Sequence, residues 1–224
     1  MHFIKISIIS EGMNKLEIKI LQGTLLHTNN YIIENETDAV LIEASCNLND
    51  LKKKLGNKNL KAVLLTHGHW DHFLNVESIL KEFNCPLYLT AEAHKKIIQK
   101  ERAFKTDRKP EVNLDGVTIT FISNEDVLNF GGDLCFRVIE TPGHTNCSVC
   151  YVLEAEKETI LFSGDTVFQD AIGRTDLPTA SLKDIKNSIR KILELPNETI
   201  IVAGHGEITN LKLERESLEQ IIQN

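Results

Sequence analysis

Three histidines and one aspartate fall within six consecutive positions, His67-Gly68-His69-Trp70-Asp71-His72. Imidazole and carboxylate at that density suit zinc, iron or manganese better than they suit a polar helix cap, and a catalytic ion keeps one coordination position open for water. Three more ligand-type side chains each follow an apolar strand that ends in a small-residue turn. They are His144 in Thr141-Pro142-Gly143-His144-Thr145, Asp165 in Gly164-Asp165-Thr166, and His205 in Ala203-Gly204-His205-Gly206. Singly, such turns arise for conformational reasons alone. Together they place ligands at the ends of several strands, where open α/β sheets gather their sites.

The elements that must position these residues are legible as apolar runs. In the first half, strands are expected at 16–20, 30–34, 39–43, 61–66 and 86–89, each rich in β-branched or aliphatic residues. Val76, Ile79, Leu80 and Phe83 recur at helical spacing, so the chain from about His72 to Phe83 is expected to be one amphipathic helix. In the second half, strands are expected at 117–122, 134–140, 148–153, 159–163 and 199–203. Ser181 with Asp184 three residues on is a capping-box pattern, and Leu182, Ile185, Ile189, Ile192 and Leu193 follow on one face. Strands in runs with helices between them imply layered sheets covered by helices, without fixing the strand order.

Composition narrows the partners. The 224 residues carry a net charge of −7, which gives no general attraction to phosphate backbones, and 42% hydrophobic content is that of an ordinary globular chain. The longest apolar runs are strand-sized, whereas a membrane span needs roughly 20 residues. The N-terminal segment, Met1 to Ser10, holds Lys5 inside its apolar run and no small-residue cleavage site, so a cytoplasmic location is expected, with no membrane and no nucleic-acid partner. The five cysteines, Cys46, Cys85, Cys135, Cys147 and Cys150, are an odd number in a chain that needs no staples, and are expected to be reduced. Cys147 and Cys150 form a C-x-x-C, but they open a strand, where their side chains would point to opposite faces, unlike a redox pair or a zinc knuckle. A basic segment, Lys95, Lys96, Lys100, Arg102, Lys105, Arg108 and Lys109, reads as a solvated helix face from about Ala91, or alternatively as a site for an anionic substrate tail. His2, His27 and His94 have no ligand neighbours in sequence.

The motifs resemble those of the metallo-β-lactamase-fold hydrolases and, within them, the glyoxalase II-like (hydroxyacylglutathione hydrolase-like) branch. The HxHxDH motif is His67, His69, Asp71 and His72, and the segments of His144, Asp165 and His205 follow in the family's order. The likeness runs from about Thr28 to Glu214. It includes Thr28-Asn29-Asn30-Tyr31, similar to a TNCY segment, and Gly173-Arg174-Thr175-Asp176-Leu177-Pro178, similar to GRxDxP.

The resemblance implies an α/β (α+β) fold, an αββα sandwich in a single domain spanning residues 1–224. It further implies two divalent metal ions, zinc first, with iron or manganese as alternatives. His67, His69 and His144 would hold one ion, Asp71, His72 and His205 the other, and Asp165 would bridge them. A hydroxide shared by the ions would attack a small-molecule thioester or ester, thiolate being an easier leaving group than an amine. Asp71, as a proton relay, and Asp165 are then the catalytic carboxylates, while Arg174 and Tyr151 are candidates for substrate contact.

Several positions depart from the pattern. Glu43 stands where the branch has Asp, Asn30 where it has Cys, and Asn146-Cys147 follow the His144 motif where a Pro-Gly-like pair is usual. Only 19 residues follow His205, so the C-terminal helical domain that recognises glutathione in full-length glyoxalase II enzymes is expected to be absent. Rival activities on this fold are a single-iron persulfide dioxygenase, a lactamase and a phosphodiesterase. A metal-binding structural protein fits less well, because structural sites are closed and thiolate-rich.

Overall fold

The fold is described from a computed structural model covering residues 16–99, 111–155 and 158–223, with the backbone alone of residues 5–8. Lys100, Arg102, Lys105, Arg108 and Lys109 of the basic segment, His2, and most of the N-terminal segment lie outside the described residues.

Two sheets face each other. The first runs in chain order through β1 (Lys5–Ile8), β2 (Leu16–Gln22), β3 (Asn29–Glu34), β4 (Asp38–Ile42), β5 (Asn59–Leu64), β6 (Leu87–Leu89) and β7 (Ile119–Phe121). Its pairs are antiparallel as far as β4 and parallel from β4 to β7. The helices that make the parallel crossovers are α1 (Leu48–Leu55), α2 (Trp70–Phe73), α3 (Val76–Phe83) and α4 (Ala91–Gln99). The second sheet is built from β8 (Val127–Asn129), β9 (Cys135–Glu140), β10 (Val149–Ala155), β11 (Glu158–Gly164), β14 (Ile200–Ala203) and β15 (Thr209–Asn210), in the order β15-β14-β11-β10-β9-β8. A two-stranded ribbon, β12 (Val167–Phe168) with β13 (Ala171–Ile172), follows β11, and α5 (Leu182–Ile192) and α6 (Leu211–Gln223) complete the chain.

Strand periodicity sorts the apolar residues into three layers. Ile18, Tyr31, Ile33, Val40, Ile42 and Leu64 of the first sheet meet Phe136, Val138, Tyr151, Leu153, Phe162 and Val202 of the second in the space between the sheets. On the far side of the first sheet, Ile32, Leu41, Val63 and Leu87 pack under Leu51 of α1, Ile79 of α3 and Ile97 of α4. On the far side of the second, Val152, Leu161 and Ile201 pack under Ile185, Ile189 and Ile192 of α5 and Leu218 of α6. This is the αββα sandwich of the metallo-β-lactamase fold, with both sheets buried on two faces.

Most expected elements are present, with ends shifted by one or two residues. Ser181 caps α5, its hydroxyl accepting from the Asp184 amide at 3.2 Å. The expected helix from His72 to Phe83 is instead two helices, broken at Leu74 and Asn75. Tertiary partners cause the break: the Ala44 amide donates to the His72 carbonyl at 2.7 Å and the Asn75 amide to the Ala44 carbonyl at 2.9 Å, taking groups a continuous helix would use internally. Cys147 precedes β10 and is buried in the layer outside the first sheet, whereas Cys150 of β10 is buried in the layer outside the second, and all five cysteines are free.

Candidate metal centre

The seven ligand-type residues come from four loops that meet at one edge of the sandwich. His67 and His69 lie on the turn after β5, and Asp71 and His72 on the single turn of α2. His144 follows β9, Asp165 follows β11 and His205 follows β14. Two groups form. The first is His67, His69, His144 and Asp165, and the second Asp71, His72 and His205, the ligand atoms within each lying inside 4.8 Å of one another. Asp165 touches both, 3.5 Å from His144 Nε2 and 3.4 Å from His72 Nε2. Asp71 Oδ2 lies 3.2 Å from His205 Nε2 and 3.5 Å from His72 Nε2.

The far side of three rings, those of His67, His144 and His205, is anchored. His144 Nδ1 donates to the Arg174 carbonyl at 3.1 Å, and His205 Nδ1 to the Leu26 carbonyl at 3.2 Å. Thr66 spends its only hydroxyl proton on Glu43 Oε1, so the 3.0 Å contact with His67 Nδ1 has the imidazole as donor. Glu43 Oε1 also lies 3.2 Å from His72 Nδ1. These contacts favour tautomers whose Nε2 lone pairs face the centre, and outer partners of this kind hold ligating imidazoles in metal sites. His69 turns Nδ1 inward, 2.9 Å from His144 Nε2.

At the centre, His67 Nε2, His72 Nε2 and Asp165 Oδ1 are buried without a hydrogen-bond partner. Three ligand atoms left bare in one place, where an unpaired buried polar group is costly, are what a site for divalent cations requires. The donor set, five imidazoles and two carboxylates, fits zinc, iron or manganese. Neighbouring backbone makes room for it. A Cβ on Gly204 would come within 2.4 Å of Asp165 Oδ1 and 2.7 Å of His72 Cε1, so a residue without a side chain is needed beside the ligands.

The local electrostatics are dominated by burial and by the crowding of like groups. Burial, with His72 and the other ligand rings as neighbours, pushes His67 well below the ordinary histidine range, and burial together with His144 brings His69 down to about 3. His72 goes the other way: burial opposes its charge, but Asp165, Glu43 and Asp71 hold it well above its ordinary value. Burial works against the charge on Asp165, yet His72 beside it, with His205 and His144, keeps its carboxyl below the usual carboxylate range.

The segment Thr28-Asn29-Asn30-Tyr31 serves the site through all four residues. Thr28 Oγ1 donates to Asp71 Oδ2 at 3.1 Å. Asn29 Nδ2 donates to the carbonyls of Ala203 and Gly206, and the Tyr31 hydroxyl to Ala203, fastening the His205 loop across the sandwich. Asn30 Oδ1 accepts from the amides of Ser45 and Cys46, two bonds that a cysteine at this position could not make so well.

Of the other candidates, Arg174 is exposed near the site, its guanidinium on Asp176 at 2.8 and 2.9 Å and its carbonyl on His144. Tyr151 corrects an expectation. It is fully buried between the sheets, its hydroxyl donating to the Leu65 carbonyl at 2.8 Å, because its inward-facing position in β10 makes it core and leaves it no substrate to touch. Phe168 stands 6.4 Å from the His205 ring, whereas Phe73 is buried in the layer under α1 and α3. Leu25, Leu26 and His27 are exposed on the loop whose Leu26 carbonyl holds His205. Sequence reasoning did not reach Thr66 or the carbonyls of Leu26 and Arg174 as anchors. The first directly precedes the HxH pair, a usable signal, whereas a backbone carbonyl leaves none.

The profile of the Metallo-beta-lactamase superfamily matches residues 23–205. A Haemophilus influenzae protein named hydroxyacylglutathione hydrolase GloC is 30% identical over 208 residues, covering 90% of this chain and 96% of its own. A crystal structure described as BLEG-1 B3 metallo-beta-lactamase superposes with a TM-score of 0.78 at 32% identity, covering 89% of this chain and 96% of that one. Another, described as TTHA1623 in a di-iron-bound form, gives 0.73 at 28% identity, with 88% and 96% covered.

Proposed function

The chain belongs to the Metallo-beta-lactamase superfamily and has the ligand cluster of a metal-dependent hydrolase; on that premise we propose that it hydrolyses small thioesters of the hydroxyacylglutathione type, using two divalent ions, zinc first. The observation that carries this reading is the meeting of seven ligand-type side chains around bare buried donor atoms. The likeness to the hydroxyacylglutathione hydrolase over nearly the whole of both chains favours the thioester.

Bound at this cluster, the ions would supply Lewis acidity and ionise water at neutral pH. The residues of the chain supply the rest. Asp165 joins the two ligand groups, and Asp71, held by Thr28 and facing His205, is the carboxylate placed to take up and pass on a proton. The Leu26 carbonyl, Arg174 carbonyl, Thr66 and Glu43 keep the rings aimed, so that little reorganisation is left for the reaction itself. Arg174, exposed on the segment that anchors His144, is our candidate for the cation that meets an anionic thiol portion. The 32% identity to a protein described as a metallo-beta-lactamase makes a lactam the second substrate class to test.

The experiment is thiol release from lactoylglutathione and acyl-coenzyme A, beside a chromogenic cephalosporin, with protein of measured metal content and a chelator-treated control. Chelator-sensitive thiol release at about two ions per chain, abolished in Asp165→Ala while the protein stays folded, is the expected result. Thiol release that survives complete metal removal, or none from fully loaded protein, would overturn the thioesterase reading. Cephalosporin turnover alone would establish the second.

A further inference from the structure

One helix touches both loops that carry the three histidines of the first ligand group and yet supplies no ligand. Lys96 of α4 is only 9% exposed, although it lies in the basic run that reads as a solvated face. Its stem lies over Gly68, the residue between His67 and His69. A Cβ there would fall 3.0 Å from Lys96 Cβ, 3.1 Å from its Cδ and 3.3 Å from the Ala93 carbonyl of the same helix. The Lys96 ammonium then donates to Thr179 Oγ1 at 2.6 Å. Thr179 ends the stretch whose Arg174 carbonyl anchors His144. At the start of α4, Thr90 Oγ1 accepts from the Ala93 amide at 3.1 Å and donates to the Cys147 carbonyl at 3.2 Å, which holds the loop after His144.

We propose that α4 is the clamp of the first ligand group and that Lys96 is its positioning residue, seating the His67-Gly68-His69 turn with its stem while its ammonium draws in the 173–180 segment behind His144. The inference rests on the reading of this cluster as a metal centre and goes beyond it by assigning its rigidity to a residue that touches neither ion nor substrate. Holding the three rings in place before metal arrives reduces the ordering cost of binding, so loosening the clamp weakens metal affinity without removing a donor.

The test uses the full chain and zinc(II) in competition with a chromophoric chelator. Lys96→Met keeps the stem and loses the ammonium, Thr179→Val loses the other end of the same bond, and Lys96→Arg restores a cation. Each single loss should raise one of the two zinc dissociation constants about fivefold, somewhat less than removal of a direct partner of a ligand costs. The double variant should be no worse than Lys96→Met alone, and Lys96→Arg should recover part of the loss. Urea unfolding of the metal-stripped proteins separates positioning from general packing: the variants should unfold near the wild-type midpoint. Unchanged zinc affinity in both single variants, additive losses in the double, or a fall in metal-free stability that accounts for the weaker binding would each overturn the proposal. A wild-type chain that takes up no zinc, iron or manganese would instead remove the metal-centre reading on which it rests.

Discussion

His72 is buried among Asp165, Asp71 and Glu43, three carboxylates with a single proton-accepting ring between them. Glu43 stands where the related branch carries Asp, and it has φ of +66°, a backbone conformation that costs a residue with a side chain about 1 kcal/mol or more. The longer side chain reaches both Thr66 and His72 from that position, so one carboxylate orients His72 directly and His67 through the threonine. Glu43→Gln keeps the shape and removes the charge. It should weaken metal retention about tenfold, as loss of an outer partner does elsewhere, which metal analysis across a chelator series would read. Under the proposed function Arg174 meets the anionic part of the substrate, so Arg174→Ala should raise KM several-fold for an anionic thioester with little change in kcat, a split that steady-state kinetics resolves. Its anchoring of His144 is through the backbone carbonyl and survives the substitution.

Short loops at strand ends give the site its precision. β11 and β14 run parallel with a register shift between Phe162 and Gly164, and Gly164 takes φ of +50° directly before Asp165. That irregularity ends the ladder and turns the carboxylate out of the sheet edge. The break between α2 and α3 acts in the same way, since a continuous helix would carry Asp71 and His72 on a line that Ala44 now redirects. Asn75 secures the break through its side-chain amide, donating to the Ser45 carbonyl at 2.8 Å and the Cys46 carbonyl at 3.0 Å. Asn75→Ala leaves those carbonyls without that donor and should cost about 1–3 kcal/mol, measured as the shift in urea midpoint. The helical spacing of Val76, Ile79 and Leu80 correctly marks α3, but periodicity carries no sign of the Ala44 contact, which joins residues distant in sequence.

Across the whole molecule, the sandwich concentrates charge at one edge. Glu43, Asp71 and Asp165 set three carboxylates among five imidazoles at that edge, a donor set to which divalent ions would add positive charge. Without metal, the same edge makes the fold sensitive to acid. His69 is held at about 3 and His67 also low, so below about pH 6.5 the unfolded chain binds protons that the folded chain refuses. Their contribution to stability is thus lost as pH falls from about 6.5 toward 3. His72 and His205 are raised, so their stabilisation is lost as pH rises above about 6.5; it offsets the loss only between pH 7 and about 6 and adds nothing further below that. The urea midpoint of metal-stripped protein should be lower at pH 5 than at pH 7, and metal at pH 7 should raise it further by mass action. Among the described residues, no helix is long and apolar enough to cross a membrane.

The sequence by itself determined the kind of chemistry and the general layering. His67, His69, Asp71 and His72 stand so close together that any fold places them near one another, and alternating or helical apolar runs announce strands and helices because burial acts on each element separately. Only the tertiary structure decided what depends on contacts between distant segments. It set the strand order, brought His144, Asp165 and His205 to the same edge, and broke the helix at Asn75. It also sent Tyr151 into the core and turned Lys96 inward under the HxH turn. Each of these rests on carbonyls, close approaches and buried partners that only the meeting of the two sheets and their helices creates.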